Sequence, residues 1–371
     1  MTQRLFDPVL VGGQLLPNRI VLPPLTRSRA TSDGVPTPLM AKYYRQRSGA
    51  GLIVAEGTVV SPQGNAYARV PGLYSREQVQ GWKPVVEAAK SQGAAFYAQL
   101  WHVGRQAHSM VQPDGLAPLA PSPIPITGWG YRTPEGKRVP YETPRELTRE
   151  GIREILGQFA DAAANAMQAG FDGVELHAAN GYLFDQFFNR SSNQRIDEYG
   201  GSVENRVRFL NEVLGALAQV IPLNRVGIRL SPSSGWMDMR DPDKRSVYSE
   251  AVRIASRRGL AYLHLVEPGI EASDDVDLGE DWIPSGELAA LFDGPVIVTG
   301  GHTAETASAQ IVAGVADMVG FGRLFISNPD LPHRFQHGTE LQEAHADGLY
   351  SDDELGYTDY PCHPSYAPSR S

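Results

Sequence analysis

One apolar run, "FDGVELH", ends in His177, with Asn180 three residues on and Tyr182 two beyond that. Imidazole and carboxamide both donate hydrogen bonds, so the pair could hold one oxygen atom while charge develops on it. A purely structural His–Asn contact is the alternative. A metal centre is the weaker reading, because no third ligand follows at a usual spacing, and no metal is expected. The Tyr182 phenol is neutral near pH 7 and could deliver a proton. Its alternative is a ring packed on the next helix.

A second constellation points to phosphate. Gly300-Gly301 and Gly322-Arg323 each follow an apolar run. Paired glycines open backbone N–H groups beside a helix start, and an arginine adds a fork of donors. Tight turns alone would also account for the glycines. The acidic run "SDDVDLGED" (273–281) lacks calcium-loop spacing and reads as a solvated loop. No GxSxG, Walker or HExxH motif is present.

These residues need elements to position them. Eight short Val/Ile/Leu-rich runs recur at 19–25, 50–58, 94–100, 172–179, 225–232, 260–267, 294–301 and 316–323. They lack clean alternation, as strands buried on both faces do. Helix-like stretches separate most of them, several ending in Gly, and Thr148 with Glu150 and Ser202 with Glu204 mark helix starts. The pattern predicts a single (β/α)8 TIM barrel over residues 1–371. A doubly wound sheet is the rival, but no GxGxxG follows the first strand.

Barrel chemistry sits at strand C-termini. Those ends carry Pro24-Leu25-Thr26-Arg27, Glu56-Gly57-Thr58, Gln99 to His102, His177 to Tyr182, Arg229, Glu267, Gly300-Gly301 and Gly322-Arg323. Residues 5–18 predict a hairpin around Gly12-Gly13 that lids the barrel bottom. The proline-rich segment 101–146 is too long for a bare connection and predicts a loop subdomain over the active face.

Bulk properties narrow the partners. The 371 residues carry a net charge of -9 with no basic cluster, which argues against nucleic acid and anionic membranes. The lone cysteine, Cys362, can neither close an intrachain disulfide nor ligate an iron–sulfur cluster. No signal pattern opens the chain and no run approaches a membrane span, so a cytoplasmic protein is expected, monomeric or homo-oligomeric. The sequon at Asn189 is read as chance.

"PPLTR", "QLWHVGRQ", "DGVELHAANGYLFDQFFNRSSNQRIDEYGGSVENRVRFLNEV", "RLSP" and "GFGRLFISNPDLPHR" resemble the Old Yellow Enzyme family of flavin-dependent ene-reductases. The likeness runs from "LFDPVLVGG" to "GYTDYP". It implies non-covalent FMN, with NADPH or NADH as reductant and activated alkenes as substrates. It implies that His177 and Asn180 clamp the substrate oxygen and that Tyr182 is the acid. Thr26, with Pro24 and Leu25, would meet the flavin and tune its potential. Gly57 and Gln99 would meet the pyrimidine edge, and Arg229 would face the side where charge collects on reduction. Gly300, Gly301, Gly322 and Arg323 would hold the phosphate. Tyr67, Trp101 and Tyr350 would line the pocket. The family's cysteine-bearing branch is excluded by Thr26. Two rivals stand beside this reading: a flavin-free phosphosugar enzyme using Glu56 or Glu267, and an FMN-binding sensor without turnover.

Overall fold

The computed structural model describes residues 2–133, 136–268, 282–345 and 347–366. Among them, eight parallel strands close on themselves: β1 (Ile20–Leu22), β2 (Leu52–Val54), β3 (Ala95–Trp101), β4 (Gly173–Ala178), β5 (Val226–Leu230), β6 (Tyr262–Val266), β7 (Val296–Thr299) and β8 (Met318–Gly320). β8 pairs with β1, and β3 pairs with β4, so the sheet has no free edge there. Seven of the strands fall inside the apolar runs and β3 passes the end of its run by one residue, Trp101; the fold is the expected TIM barrel.

Helices follow the strands on the outside. The longest is α1 (Arg149–Ala169), capped by the Thr148 hydroxyl and stopped at Gly170 in the left-handed region, φ 100°. Ser202 caps the next start as expected, and the helix it opens breaks at Val207 into 203–206 and 208–217.

The hairpin forms between Val9–Val11 and Gln14–Leu16, with Gly12 and Gly13 both at positive φ. Val9, Val11 and Leu16 pack with Leu52, Ala95, Ala261 and Met318 at the barrel's N-terminal end. The bottom is therefore plugged by apolar side chains, and chemistry is left to the other end.

The polar stretch 189–201 is not a loose loop. Asn193 donates to Phe187 O and Tyr199 O at 2.7 and 2.8 Å, and buried Arg195 donates to Pro121 O at 2.9 Å and to the Asp197 carboxylate. Asn189 of the sequon is wholly buried and occupied by hydrogen bonds. In segment 101–146, Leu119–Ala120 pairs with Arg145–Glu146, and a hairpin joins Gly130–Arg132 to Arg138–Pro140. Its Tyr131 donates to Ala66 O at 2.9 Å. The acidic run 273–281 lies outside the described residues. No helix among the described residues is long and apolar enough to cross a membrane.

Candidate active site

Strand alternation gives the barrel two floors. The lower floor is apolar, with Tyr97, Tyr262, Ile297 and Met318 in one cluster with the hairpin. One pleat higher, the same strands carry Gln99, Glu175, Arg229, His264 and Thr299, all buried. Polar groups there must find partners. Gln99 donates to Glu175 at 2.8 Å, His264 Nδ1 meets Glu175 at 2.8 Å, and His264 Nε2 meets Thr299 Oγ1 at 2.7 Å. Burial holds the His264 imidazole below its usual range, so it is neutral. With Glu175 as acceptor, the proton sits on Nδ1, and Nε2 accepts from Thr299.

Above this network β4 ends. His177 is a register partner of Arg229. Burial first, then Arg229 and His264, push its imidazole well below the usual range and keep it neutral. Its Nδ1 is buried with no hydrogen-bond partner among the described residues. Trp101, at the end of β3, lies 6.0 Å from the His177 ring, 4.9 Å from Tyr182 and 5.5 Å from Tyr67 by ring centroids. His177 and Tyr182 meet edge to face at 4.8 Å. Tyr67 and Tyr182 both pack on Trp101, and burial keeps both phenols protonated far beyond neutral pH.

The turn between them is strained and fully tied. Asn180 is a non-glycine residue at φ 57°, and Gly181 follows at φ 74°. Asn180 N donates to Ser231 Oγ at 2.7 Å, and Gln106 Nε2 donates to Asn180 O at 2.7 Å. Gly181 N donates to Asp185 Oδ2 at 2.8 Å. Gln186 Nε2 bridges Gly181 O and Val103 O, at 2.8 and 2.9 Å.

The glycines mark where other atoms approach. A Cβ on Gly57 would lie 2.4 Å from the Trp101 indole. A Cβ on Gly322 would lie 3.3 Å from Leu25, and one on Gly301, at φ 70°, would lie 3.7 Å from the Arg323 guanidinium. Gly301 and Arg323 thus share one spot above β7 and β8. Arg229 Nε is buried without a partner among the described residues. This donor set — a guanidinium, an amide, and glycine backbone beside a second guanidinium — fits a flat, anionic, phosphorylated ring system such as FMN.

The loop after β1 is bound to the far end of the chain. Glu56 Oε2 accepts from Arg27 N at 3.2 Å, and burial pushes the Glu56 carboxyl up to about 7. The Arg27 guanidinium donates to Leu349 O at 3.2 Å and to Gly356 O. Arg29 donates to Leu349 O, Gly348 O and Leu355 O and lies 4.6 Å over the Tyr357 ring. This strap carries Tyr350, whose backbone oxygen accepts from Arg69 at 3.4 Å and whose side chain is 59% exposed.

All the predicted site residues stand at the C-terminal end of the barrel or on segments that reach it. Tyr67, Trp101, His177 and Tyr182 form one contact group. Gly301 is paired with Arg323, and Leu25 with Gly322. Pro24 is buried at the end of β1, Thr26 is partly exposed, and Gly300 packs against Glu267. Glu267 itself is engaged by His302 at 2.8 Å and Ser285 at 2.8 Å. Glu175, His264, Asp185 and Gln106 escaped the sequence reading. Glu175 had a signal: it lies two residues before His177, hence on the same strand face.

The family described as NADH:flavin oxidoreductase / NADH oxidase matches residues 4–342. 12-oxophytodienoate reductase 7 of Oryza sativa subsp. japonica is 42% identical over 371 residues, spanning 96% of this chain and 94% of the relative. Morphinone reductase, solved in complex with tetrahydroNAD, superposes with a TM-score of 0.90 at 42% identity, covering 97% of this chain and 98% of that one. The old yellow enzyme homologue from Zymomonas mobilis gives a TM-score of 0.90 at 40% identity, covering 96% and 99%. The chain belongs to the NADH:flavin oxidoreductase / NADH oxidase family and is an FMN-dependent oxidoreductase of the Old Yellow Enzyme type.

Proposed function

We propose that the protein reduces the activated C=C bond of α,β-unsaturated carbonyl and nitro compounds, with nitrate esters as a further class, using NADPH or NADH. The observation that carries this reading is the buried Nδ1 of His177, without a hydrogen-bond partner among the described residues, on a ring whose centroid lies 4.8 Å from that of Tyr182. The relatives' names support it, being reductases of two enones, and one was solved with a nicotinamide analogue.

FMN, when bound, supplies the hydride chemistry between the nicotinamide and the alkene. The chain's residues do the rest. Neutral His177 and the Asn180 amide donate to the substrate's carbonyl or nitro oxygen and stabilise the charge that gathers there. The Tyr182 phenol gives its proton to the α-carbon. Trp101, Tyr67 and Tyr350 form aromatic walls that select flat substrates. Thr26 with Pro24 and Leu25, Gly57, Gln99 and Arg229 hold the ring system, and Gly300, Gly301, Gly322 and Arg323 hold the phosphate. We read the chain as one barrel domain, with residues 101–146 as a subdomain over the active face. The Tyr131–Ala66 hydrogen bond and the Arg105 donation to Met237 O at 3.0 Å support that reading.

The test is anaerobic reduction of the purified protein by each nicotinamide, followed by reoxidation with enones, nitroalkenes and nitrate esters. Flavin that is reduced but not reoxidised by any of them would overturn the reading.

A further inference from the structure

The turn that carries Asn180 and Tyr182 is held from beneath by one carboxylate. Asp185 is wholly buried and accepts three hydrogen bonds: from Gly181 N at 2.8 Å, from Asn189 Nδ2 at 2.9 Å and from the Tyr248 hydroxyl. Gly181 stands between the two residues that face the substrate. Two successive residues there have positive φ, and the first is not glycine. Such a backbone persists only where its surroundings determine it. Ser231 and Gln106 fix the Asn180 amide and carbonyl, and Asp185 alone fixes the next N–H. Asn189, the C-cap of Asp185's own short helix, and Tyr248, from helix Lys244–Arg257, in turn lock the carboxylate's rotamer.

We propose that Asp185 is a positioning residue for substrate recognition: by capturing Gly181 N–H, it keeps Asn180 in its left-handed backbone and fixes where the Asn180 amide and Tyr182 phenol stand. The inference rests on the proposed oxygen clamp. Asp185 is wholly buried and acts through the Gly181 N–H. An acceptor is required at this position, and the negative charge is not.

The test uses FMN-loaded protein and calorimetric titration with 4-hydroxybenzaldehyde, a phenol that imitates the charged substrate oxygen. Asp185→Leu should weaken phenol binding tenfold or more and raise the KM for 2-cyclohexenone, while FMN affinity stays within twofold. Asp185→Asn keeps an acceptor and should restore phenol affinity to within about threefold of wild type. Wild-type phenol affinity in Asp185→Leu, or no rescue by Asp185→Asn, overturns the proposal. If Asp185→Leu does not fold, amide exchange on the wild type decides: a protected Gly181 N–H supports it, and exchange at an open-turn rate overturns it. A His177→Ala, Asn180→Ala double variant separates the two levels. If that variant also binds phenol normally, the clamp itself fails and the inference falls with it. If only Asp185→Leu is silent, the inference alone falls.

Discussion

The Gln99 side-chain amide donates to the Glu175 carboxylate across the β3–β4 ladder, between two residues that are register partners. A carboxylate oxygen accepts, so the Gln99 side-chain nitrogen faces Glu175. The same carboxylate sets the His264 tautomer. One buried acid thus orients two side chains on the floor below His177. Glu175→Ala would leave two buried donors unpaired, and we expect a loss of about 2–5 kcal/mol in unfolding free energy. Urea denaturation checks it; an unchanged midpoint would show that water replaces the carboxylate.

Replacing both His177 and Asn180 by alanine should cut kcat/KM for enones steeply. One oxyanion donor is worth about 10²–10³-fold in rate, so each single variant should fall in that range. Steady-state assays on the two singles and the double give the coupling. Singles that lose less than about threefold would remove the clamp from the mechanism.

Tyr182→Phe should spare flavin reduction by NAD(P)H, which takes no proton from the phenol. Enone turnover should slow by about 10²–10⁴-fold, the usual worth of a general acid. Nitroalkenes should be affected less, because a nitronate is a stable anion. Because burial keeps the Tyr182 proton bound far above neutral pH, wild-type enone reduction should show no loss of this acid up to pH 9. Stopped-flow measurement of the two halves separates the cases. Equal slowing of both would make Tyr182 a packing residue.

Thr26→Ala should lower the FMN reduction potential by removing a donor to the ring. Reduction by NAD(P)H should slow and reoxidation should quicken. Equilibrium photoreduction against a reference dye reads the potential directly. A value equal to wild type within error would take Thr26 off the flavin.

Glu56 gives a pH-dependent stability. Its folded carboxyl titrates at about 7, against an ordinary value of 4.5, chiefly through burial. Between those values the native state holds a proton that the unfolded chain has released. Stability is therefore full below 4.5 and falls by up to about 1.4 kcal/mol per pH unit as pH rises to 7. Glu56→Gln cannot ionise and should flatten that part of the profile. Urea midpoints from pH 5 to 8 for both proteins test this; parallel slopes would assign the effect elsewhere.

Local signals made the frame legible. The eight strands are written in short apolar runs, the helix starts in Thr148 and Ser202, and the bottom hairpin in Gly12-Gly13. His177, Asn180 and Tyr182 stand out because they sit within six residues of one strand end. Their supports did not stand out, because they come from far away. His264 lies 89 residues from Glu175 and Tyr248 lies 63 from Asp185, and no local period announces such a pair. The helix break at Val207 was hidden for the opposite reason: the apolar pattern continues through it unbroken.

The strap that Arg27 and Arg29 hold spans 322 residues between Arg27 and Leu349. A ribosome makes the chain from its N-terminal side, so these arginines wait for the strap to be made. The barrel's first loop, with Thr26, can take its final form only after residue 356 has emerged. A chain cut after residue 345 contains all eight barrel strands and lacks the strap whose carbonyls Arg27 and Arg29 hold. Assembly of the first loop is thus coupled to the arrival of the strap, not to closure of the barrel.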